Sequence, residues 1–130
     1  MDKQKLIFIA DDDPVINMLV TRRLAANGYN VKSFRYGEDC IKELDADPDL
    51  IILDYYFVNE NKELMNGMEV FNRIRELKPL IHVIILSGQE KGEIVLELAR
   101  KGIDDYVIKD HNLIDNLIIS VRDSLKRVIK

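Results

Sequence analysis

The chain has 130 residues, 47% of them hydrophobic and 32% charged, which is the composition of an ordinary globular domain. Its net charge is −4 at pH 7, and no basic patch is dense enough to indicate nucleic-acid binding. One cysteine excludes an internal disulfide, no apolar run approaches membrane-spanning length, and the first residues lack a signal-peptide pattern. We therefore expect one domain over residues 1–130, in a cytoplasmic protein that binds neither nucleic acid directly nor a membrane.

Strand-like and helix-like segments alternate along the chain. Short apolar runs predict five strands, over residues 5–10, 30–34, 50–53, 81–86 and 104–108. The intervening segments predict helices over residues 14–26, 37–44, 67–77 and 89–101, and a fifth helix follows the last strand. Asp13 fits the N-cap of the first helix, Pro14 fits its first position and Gly28 fits its end.

The spacing of apolar residues predicts which side of three helices faces the core. In the first helix these residues are Ile16, Leu19, Val20 and Leu24. In the fourth helix they are Ile94, Val95, Leu98 and Ala99. In the fifth helix they are Ile114, Leu117, Ile118, Val121, Leu125 and Val128. Three further apolar residues of the fifth helix are predicted to lie off its buried line: Leu113, Ile119 and Ile129.

Five consecutive strand–helix units define the expected fold class. Right-handed crossovers then give an α/β protein with a doubly wound, five-stranded parallel sheet and helices on both faces. The second, third and fourth strands are short, and we expect them to be buried on both faces, as the apolar runs over residues 50–53 and 83–86 are typical of such strands.

Polar side chains stand where the predicted strands end. Asp11 and Asp12 follow the first strand, Asp54 the third, Ser87 the fourth and Lys109 the fifth. Because the carboxyl ends of parallel strands share one edge, these residues are expected to converge there. Neighbouring carboxylates repel one another unless a cation lies between them, and Mg²⁺ prefers hard oxygen ligands. The pattern indicates a site for a divalent cation and a phosphoryl group.

Purely structural roles are the alternative for several of these residues and for other polar residues. Asp13 is best explained as the helix cap, whereas a single cap does not account for Asp11 and Asp12 as well. His82 and His111 lack the companion ligands of a metal site. Cys40 is expected to be a packed helix residue.

Five segments of the chain, in this order, resemble the motifs of bacterial response-regulator receiver domains of the chemotaxis-regulator type, the phospho-accepting modules of two-component signalling. The segments are residues 6–14, 49–54, 66–70, 84–88 and 99–109. The resemblance covers nearly the whole chain and implies the flavodoxin-like strand order 2-1-3-4-5. It implies a phosphoprotein that signals and is not an enzyme in its own right, although it assists its own phosphorylation and dephosphorylation.

The resemblance also assigns roles at the strand ends. Asp54 is implied to be the phospho-acceptor, with a phosphohistidine of a sensor histidine kinase or a histidine phosphotransfer protein as donor. Mg²⁺ is implied to be held by Asp12 directly, by Asp11 through water, by Asp54 and by the backbone carbonyl of Tyr56. Positioning and charge neutralisation are the main requirements of such a transfer.

The remaining roles concern the phosphoryl oxygens and the signal. Ser87 and Lys109 are implied to contact phosphoryl oxygens. Ser87 and Tyr106 are implied to form the switch, with Tyr106 turning inward once Ser87 has moved toward the phosphate. This rearrangement alters the face formed by the fourth helix, fifth strand and fifth helix, which is expected to bind a downstream protein target or a second copy of the chain as a homodimer. Tyr106 as an ordinary half-buried aromatic is the alternative.

The chain departs from the family pattern in two informative places. Asp110 follows Lys109 where many relatives have proline, so no cis bond is expected there. The loop over residues 55–66 is longer than usual by about five residues and begins with aromatic side chains. It either shields the phosphate, docks a partner or packs onto the domain.

Two other functions stay in consideration. The leading interpretation is a stand-alone regulator, and the first alternative is a receiver domain cut from a longer hybrid kinase or transcription factor. A phosphatase of the haloacid dehalogenase type also uses an aspartate nucleophile and Mg²⁺. That class places a second aspartate two residues after the nucleophile as general acid, where this chain has Tyr56.

Overall fold

A computed structural model describes residues 4–55, 66–88 and 92–126 of the chain. These residues form a parallel sheet of five strands in the order β2-β1-β3-β4-β5. The strands are β1 Leu6–Ala10, β2 Asn30–Phe34, β3 Leu50–Asp54, β4 His82–Ser87 and β5 Asp105–Ile108. The predicted fold class and strand order are confirmed.

The described residues also form five α-helices and one short 3₁₀ turn, of which four helices connect successive strands and the fifth follows the last strand. The helices are α1 Pro14–Ala26, α2 Gly37–Lys42, α3 Gly67–Leu77, α4 Gly92–Arg100 and α5 Leu113–Leu125. The second helix is shorter than predicted because the chain tightens into the 3₁₀ turn Leu44–Ala46 before β3. The predicted start of the fourth helix at Gln89 lies outside the described residues, as do Val128 and Ile129, which the sequence pattern assigned to the fifth helix.

The sheet has a separate apolar core on each face, because successive strand side chains point to opposite sides. On one face Phe8, Ile51 and Val83 pack against α2, α3 and α4. On the other face Ile9 and Ile52 pack against α1 and α5. The helices therefore cover both faces of the sheet, and no described helix is long and apolar enough to span a bilayer.

Burial of the strands follows their place in the sheet. Every residue of β3 and β4 is buried, as their apolar sequences predict. The same prediction is wrong for β2, where only Phe34 is buried. This strand pairs with β1 alone and forms an edge of the sheet, so most of its side chains face water.

Three helix residues differ in burial from the prediction: two predicted core residues are exposed, and one residue predicted to lie off the core is buried. Leu19 is 46% exposed, because the buried line of α1 is the narrow pair Val20 and Leu24. Ala99 is exposed beside Leu98, the one buried residue of α4. Leu113 is buried, because it stands four and eight residues before Leu117 and Val121 and shares their stripe.

The start of α1 agrees with the prediction. The Asp13 carboxylate accepts hydrogen bonds from the backbone N–H groups of Val15 and Ile16, at 2.9 and 3.2 Å. Pro14 occupies the first helical turn, where its missing N–H costs nothing. Asp13 is therefore the helix cap, and the neighbouring aspartates remain available for another role.

Arg75 links three segments at the amino-terminal edge of the sheet. Its guanidinium donates hydrogen bonds to the carbonyl oxygens of Pro79 at 3.0 Å, Ile81 at 2.8 Å and Gly102 at 3.1 Å. We expect Arg75→Ala to lower the free energy of unfolding by about 2–3 kcal/mol, since charged hydrogen bonds are lost and carbonyls lose their partner. Urea unfolding measures this.

Arg73→Ala on the same helix is the matched control. Arg73 makes an exposed ion pair with Glu76 at 3.0 Å, and such pairs contribute at most about 1 kcal/mol. Equal losses of stability for the two variants would contradict the linking role of Arg75.

Cys40 is buried in α2, as expected for a packed helix residue. Burial raises the pKa of its thiol to about 12, because the thiolate cannot be solvated. At pH 8 only roughly 0.01% of a thiol with such a pKa is ionised, and the thiolate is the reactive form. We expect Ellman's reagent to label the native protein very slowly and the urea-unfolded protein rapidly. Rapid labelling of the native protein would show that α2 opens readily.

Candidate functional site

Four predicted site residues meet at the carboxyl edge of the sheet. Asp11 and Asp12 directly follow β1, Asp54 ends β3 and Lys109 directly follows β5. One carboxylate oxygen from each of the three aspartates lies within 4.8 Å of the other two. The convergence follows from the parallel topology, which places the ends of neighbouring strands side by side.

Lys109 contacts two of these carboxylates. Its Nζ atom lies 3.0 Å from Oδ2 of Asp11 and 3.1 Å from Oδ1 of Asp54. Both aspartates are 1% exposed. Burial of the ammonium alone would lower the pKa of Lys109. The charge of Asp54 and the hydrogen bonds and charge of Asp11 outweigh this effect, so its pKa is raised and the group stays charged at neutral pH.

The β1–α1 turn holds Asp11 in place through its own backbone. The backbone N–H of Asp13 donates to Oδ1 of Asp11 at 2.9 Å. The side-chain amide of Asn17 donates to the carbonyl oxygens of Asp11 and Phe34, both at 3.0 Å. Asn17 was not singled out from the sequence. Its one available signal was an amide in the second turn of a helix that starts at an acidic cluster.

Ser87 and Tyr106 lie on one face of the sheet. Ser87 ends β4 and is fully buried, and the backbone N–H of Lys109 donates to its carbonyl oxygen at 2.9 Å. Tyr106 pairs in register with Ile85 and is half-buried against the core that includes Leu98 of α4. Both predicted switch residues therefore border the same packing layer. Tyr56 and the loop over residues 56–65 lie outside the described residues.

The donor set fits a hard divalent cation. Three carboxylates lie together beside the ammonium of Lys109, and two of the three are nearly inaccessible to water. Buried like charges repel strongly unless they are compensated, and Mg²⁺ takes carboxylate oxygens and retains several waters. Asp12 is only partly buried, which leaves the cluster open on one side. These are the residues that could hold the metal predicted from the sequence.

The described residues thus form a doubly wound α/β sheet that carries an acidic cluster and a lysine at its carboxyl edge, where ligands of this fold class bind. The sequence profile of the response regulator receiver domain matches residues 7–121, and the chain belongs to this family. The resemblance noted in the sequence is therefore confirmed, and the family is the one expected from the leading interpretation.

Curated relatives are longer than this chain. The transcriptional regulatory protein CssR of Bacillus subtilis is 32% identical over 125 residues, which span 95% of this chain and 52% of CssR. The alkaline phosphatase synthesis transcriptional regulatory protein PhoP of the same species is 32% identical over 107 residues, spanning 81% of this chain and 42% of PhoP. The chain thus spans about half of these two relatives or less.

Solved structures of the family show the same architecture. The BeF3-activated receiver domain of DrrB is 30% identical with a TM-score of 0.79, and the match covers 96% of this chain and all of that domain. Longer DrrB from Thermotoga maritima is 29% identical with a TM-score of 0.82, covering 96% of this chain and 54% of DrrB. The match therefore spans the whole receiver unit of a related regulator.

Proposed function

We propose that this receiver domain accepts a phosphoryl group on Asp54 in a Mg²⁺-dependent reaction. The observation that carries the proposal is the contact of Lys109 with both Asp11 and Asp54 within a cluster of three carboxylates. A carboxylate is the nucleophile in this arrangement, and the ammonium beside it is placed to pair with a phosphoryl oxygen.

The donor we propose is a phosphohistidine of a sensor histidine kinase or a histidine phosphotransfer protein. An Oδ atom of Asp54 attacks the phosphorus as the P–N bond to the imidazole breaks, and the electron pair stays on that nitrogen. The products are an aspartyl phosphate and a histidine. Lys109 then pairs with one phosphoryl oxygen and Ser87 donates a hydrogen bond to another, so that charge is stabilised as the group transfers.

The metal site we propose consists of Asp12, Asp11 and Asp54, with the backbone carbonyl of Tyr56 as a further ligand. When bound, Mg²⁺ supplies positive charge shared between the carboxylates and the phosphoryl oxygens. The chain's own contribution is to hold these oxygens together, through the β1–α1 turn and the Asn17 bonds that support Asp11.

A mass measurement tests the proposal. The protein is incubated with acetyl phosphate, with MgCl₂ or with EDTA, and intact mass is recorded. We expect one added phosphoryl group with MgCl₂ and none with EDTA. Equal incorporation without the metal would overturn the role of the carboxylate cluster.

The output we propose is a change of the face formed by α4, β5 and α5. Three aspartates line a groove of about 340 Å³ between β5 and α5, together with Ile119, which is 47% exposed. They are Asp105, Asp110 and Asp123. Asp105 accepts a hydrogen bond from the hydroxyl of Ser120, which couples the strand to the helix. We propose that a downstream protein or a second copy of the chain binds this face.

We also propose that the protein acts in the cytoplasm.

The proposed rearrangement of Ser87 and Tyr106 can be tested by NMR spectroscopy. Beryllium fluoride with Mg²⁺ mimics the phosphoryl group, and we expect amide chemical-shift changes at Ser87, Tyr106 and along α5. The physical reason is that Ser87 and Tyr106 border one packing layer, so moving one opens space for the other. Changes confined to the strand ends would instead indicate a carrier that passes the group on without reshaping this face.

A further inference from the structure

Gly67 is buried at the first position of α3, directly against the residue that follows Asp54. A Cβ atom at this position would overlap the carbonyl oxygen of Tyr55 and lie 2.8 Å from its carbonyl carbon and Cα. All three of these atoms belong to the backbone, which cannot rotate away as a side chain can. Only glycine lets the start of α3 approach the end of β3 this closely.

The need for glycine here is one of space and not of conformation. Gly28 and Gly102 have positive φ values of 91° and 88°, whereas Gly67 is not among the positive-φ residues. The other crowded glycine is Gly37, where an added Cβ would lie 2.5 Å from Cγ2 of Val70. That neighbour is the side chain of Val70 in the first turn of α3, so Gly37 presses against methyl groups whereas Gly67 presses against backbone atoms.

Both sides of the Gly67 contact are fixed in place. The backbone N–H of Tyr55 donates to the carbonyl oxygen of Leu86 at 2.8 Å, which ties it to the end of β4. The first turn of α3 is fixed by a reciprocal capping box between Asn66 and Glu69, at 2.9 and 3.2 Å. Neither side can retreat cheaply from an added methyl group.

We propose that Gly67 is a positioning residue for the phosphoryl-transfer site. Because Gly67 allows α3 to contact the Tyr55 carbonyl, it fixes the position of the peptide that follows Asp54. The position of that peptide in turn fixes the Asp54 carboxylate relative to Asp11 and Lys109. The proposal rests on the proposed function for the identity of the site. Outer residues that orient metal ligands change metal affinity by about 10–100-fold when they are altered.

The test compares Gly67→Ala with Gly37→Ala. Mg²⁺ affinity is measured by amide chemical-shift titration with MgCl₂, and amide hydrogen exchange at Tyr55 is measured in the metal-free protein. We expect Gly67→Ala to weaken Mg²⁺ binding about tenfold or more and to accelerate Tyr55 exchange. Gly37→Ala crowds side-chain methyl groups of α3 and no backbone atom, so it should lose thermal stability but keep both properties within about twofold of the wild type.

Several outcomes decide the matter. A folded Gly67→Ala protein with wild-type Mg²⁺ affinity and wild-type Tyr55 exchange overturns the proposal. The proposal is also overturned if both variants lose Mg²⁺ affinity in proportion to the drop in their melting temperatures, because the loss would then reflect stability alone. If Gly67→Ala does not fold, Asn66→Ala loosens the same turn and should shift both readouts in the same direction; no shift overturns the proposal. If the wild type binds no Mg²⁺, the proposed function fails, and Tyr55 exchange still tests the contact at Gly67.

Discussion

Asp54→Asn is expected to abolish formation of the aspartyl phosphate. The amide is a poor nucleophile and carries no charge, although it has nearly the shape of the carboxylate. Asp54 is buried at the end of β3 and lies 3.1 Å from Nζ of Lys109. Incubation with acetyl phosphate and MgCl₂ should therefore leave the intact mass of the variant unchanged.

The control for this variant is Asp13→Asn. Asp13 is two residues from the site aspartate Asp11 but caps α1, and asparagine caps helices about as well as aspartate. The control should take up a phosphoryl group as the wild type does. Incorporation at the wild-type level in Asp54→Asn would remove Asp54 from the reaction.

Asp12→Ala and Asp13→Ala are expected to separate metal binding from helix capping. Asp12 belongs to the cluster of carboxylates within 4.8 Å of one another, so its loss should weaken Mg²⁺ binding by about tenfold or more. Metal-free Asp12→Ala should keep its stability, because one of several mutually repelling charges is gone. Asp13→Ala should retain Mg²⁺ affinity and lose about 1 kcal/mol of unfolding free energy with its cap.

Magnesium titration and urea unfolding of both variants measure the two properties. The interpretation fails if Asp13→Ala loses more Mg²⁺ affinity than Asp12→Ala, since the cap would then also be a ligand. It fails as well if both variants lose the same stability and the same affinity.

The site was predictable because its residues are tied to strand ends. Apolar runs mark where β1, β3 and β4 stop, and a parallel sheet brings those ends together whatever the helices do. The residues that position the backbone around the site were harder to predict from the sequence. Asn17 acts through two backbone carbonyls, and Gly67 acts by having no side chain, so neither shows a chemical signature in the sequence.

The errors in the helices concern the width and extent of the buried stripe. Apolar spacing indicates that a helix has a buried side, but not how wide the buried stripe is. Leu19 and Ala99 are adjacent to buried residues and remain exposed, whereas Leu113 is buried at the very start of α5. For β2 the error has another source, since the strand order 2-1-3-4-5 implied by the family resemblance already places this strand at an edge. Its polar residues Asn30, Lys32 and Ser33 agree with that position.

Mapping the phosphorylated residue in the wild-type protein tests the central claim most directly. Borohydride reduces an aspartyl phosphate to homoserine, which marks the acceptor permanently for peptide sequencing by mass spectrometry. After treatment with acetyl phosphate and MgCl₂, we expect homoserine at residue 54 and aspartate at residues 11 and 12. Homoserine at residue 11 or 12, or a phosphoryl group retained on His82 or His111, would contradict the assignment of Asp54 as the phospho-acceptor.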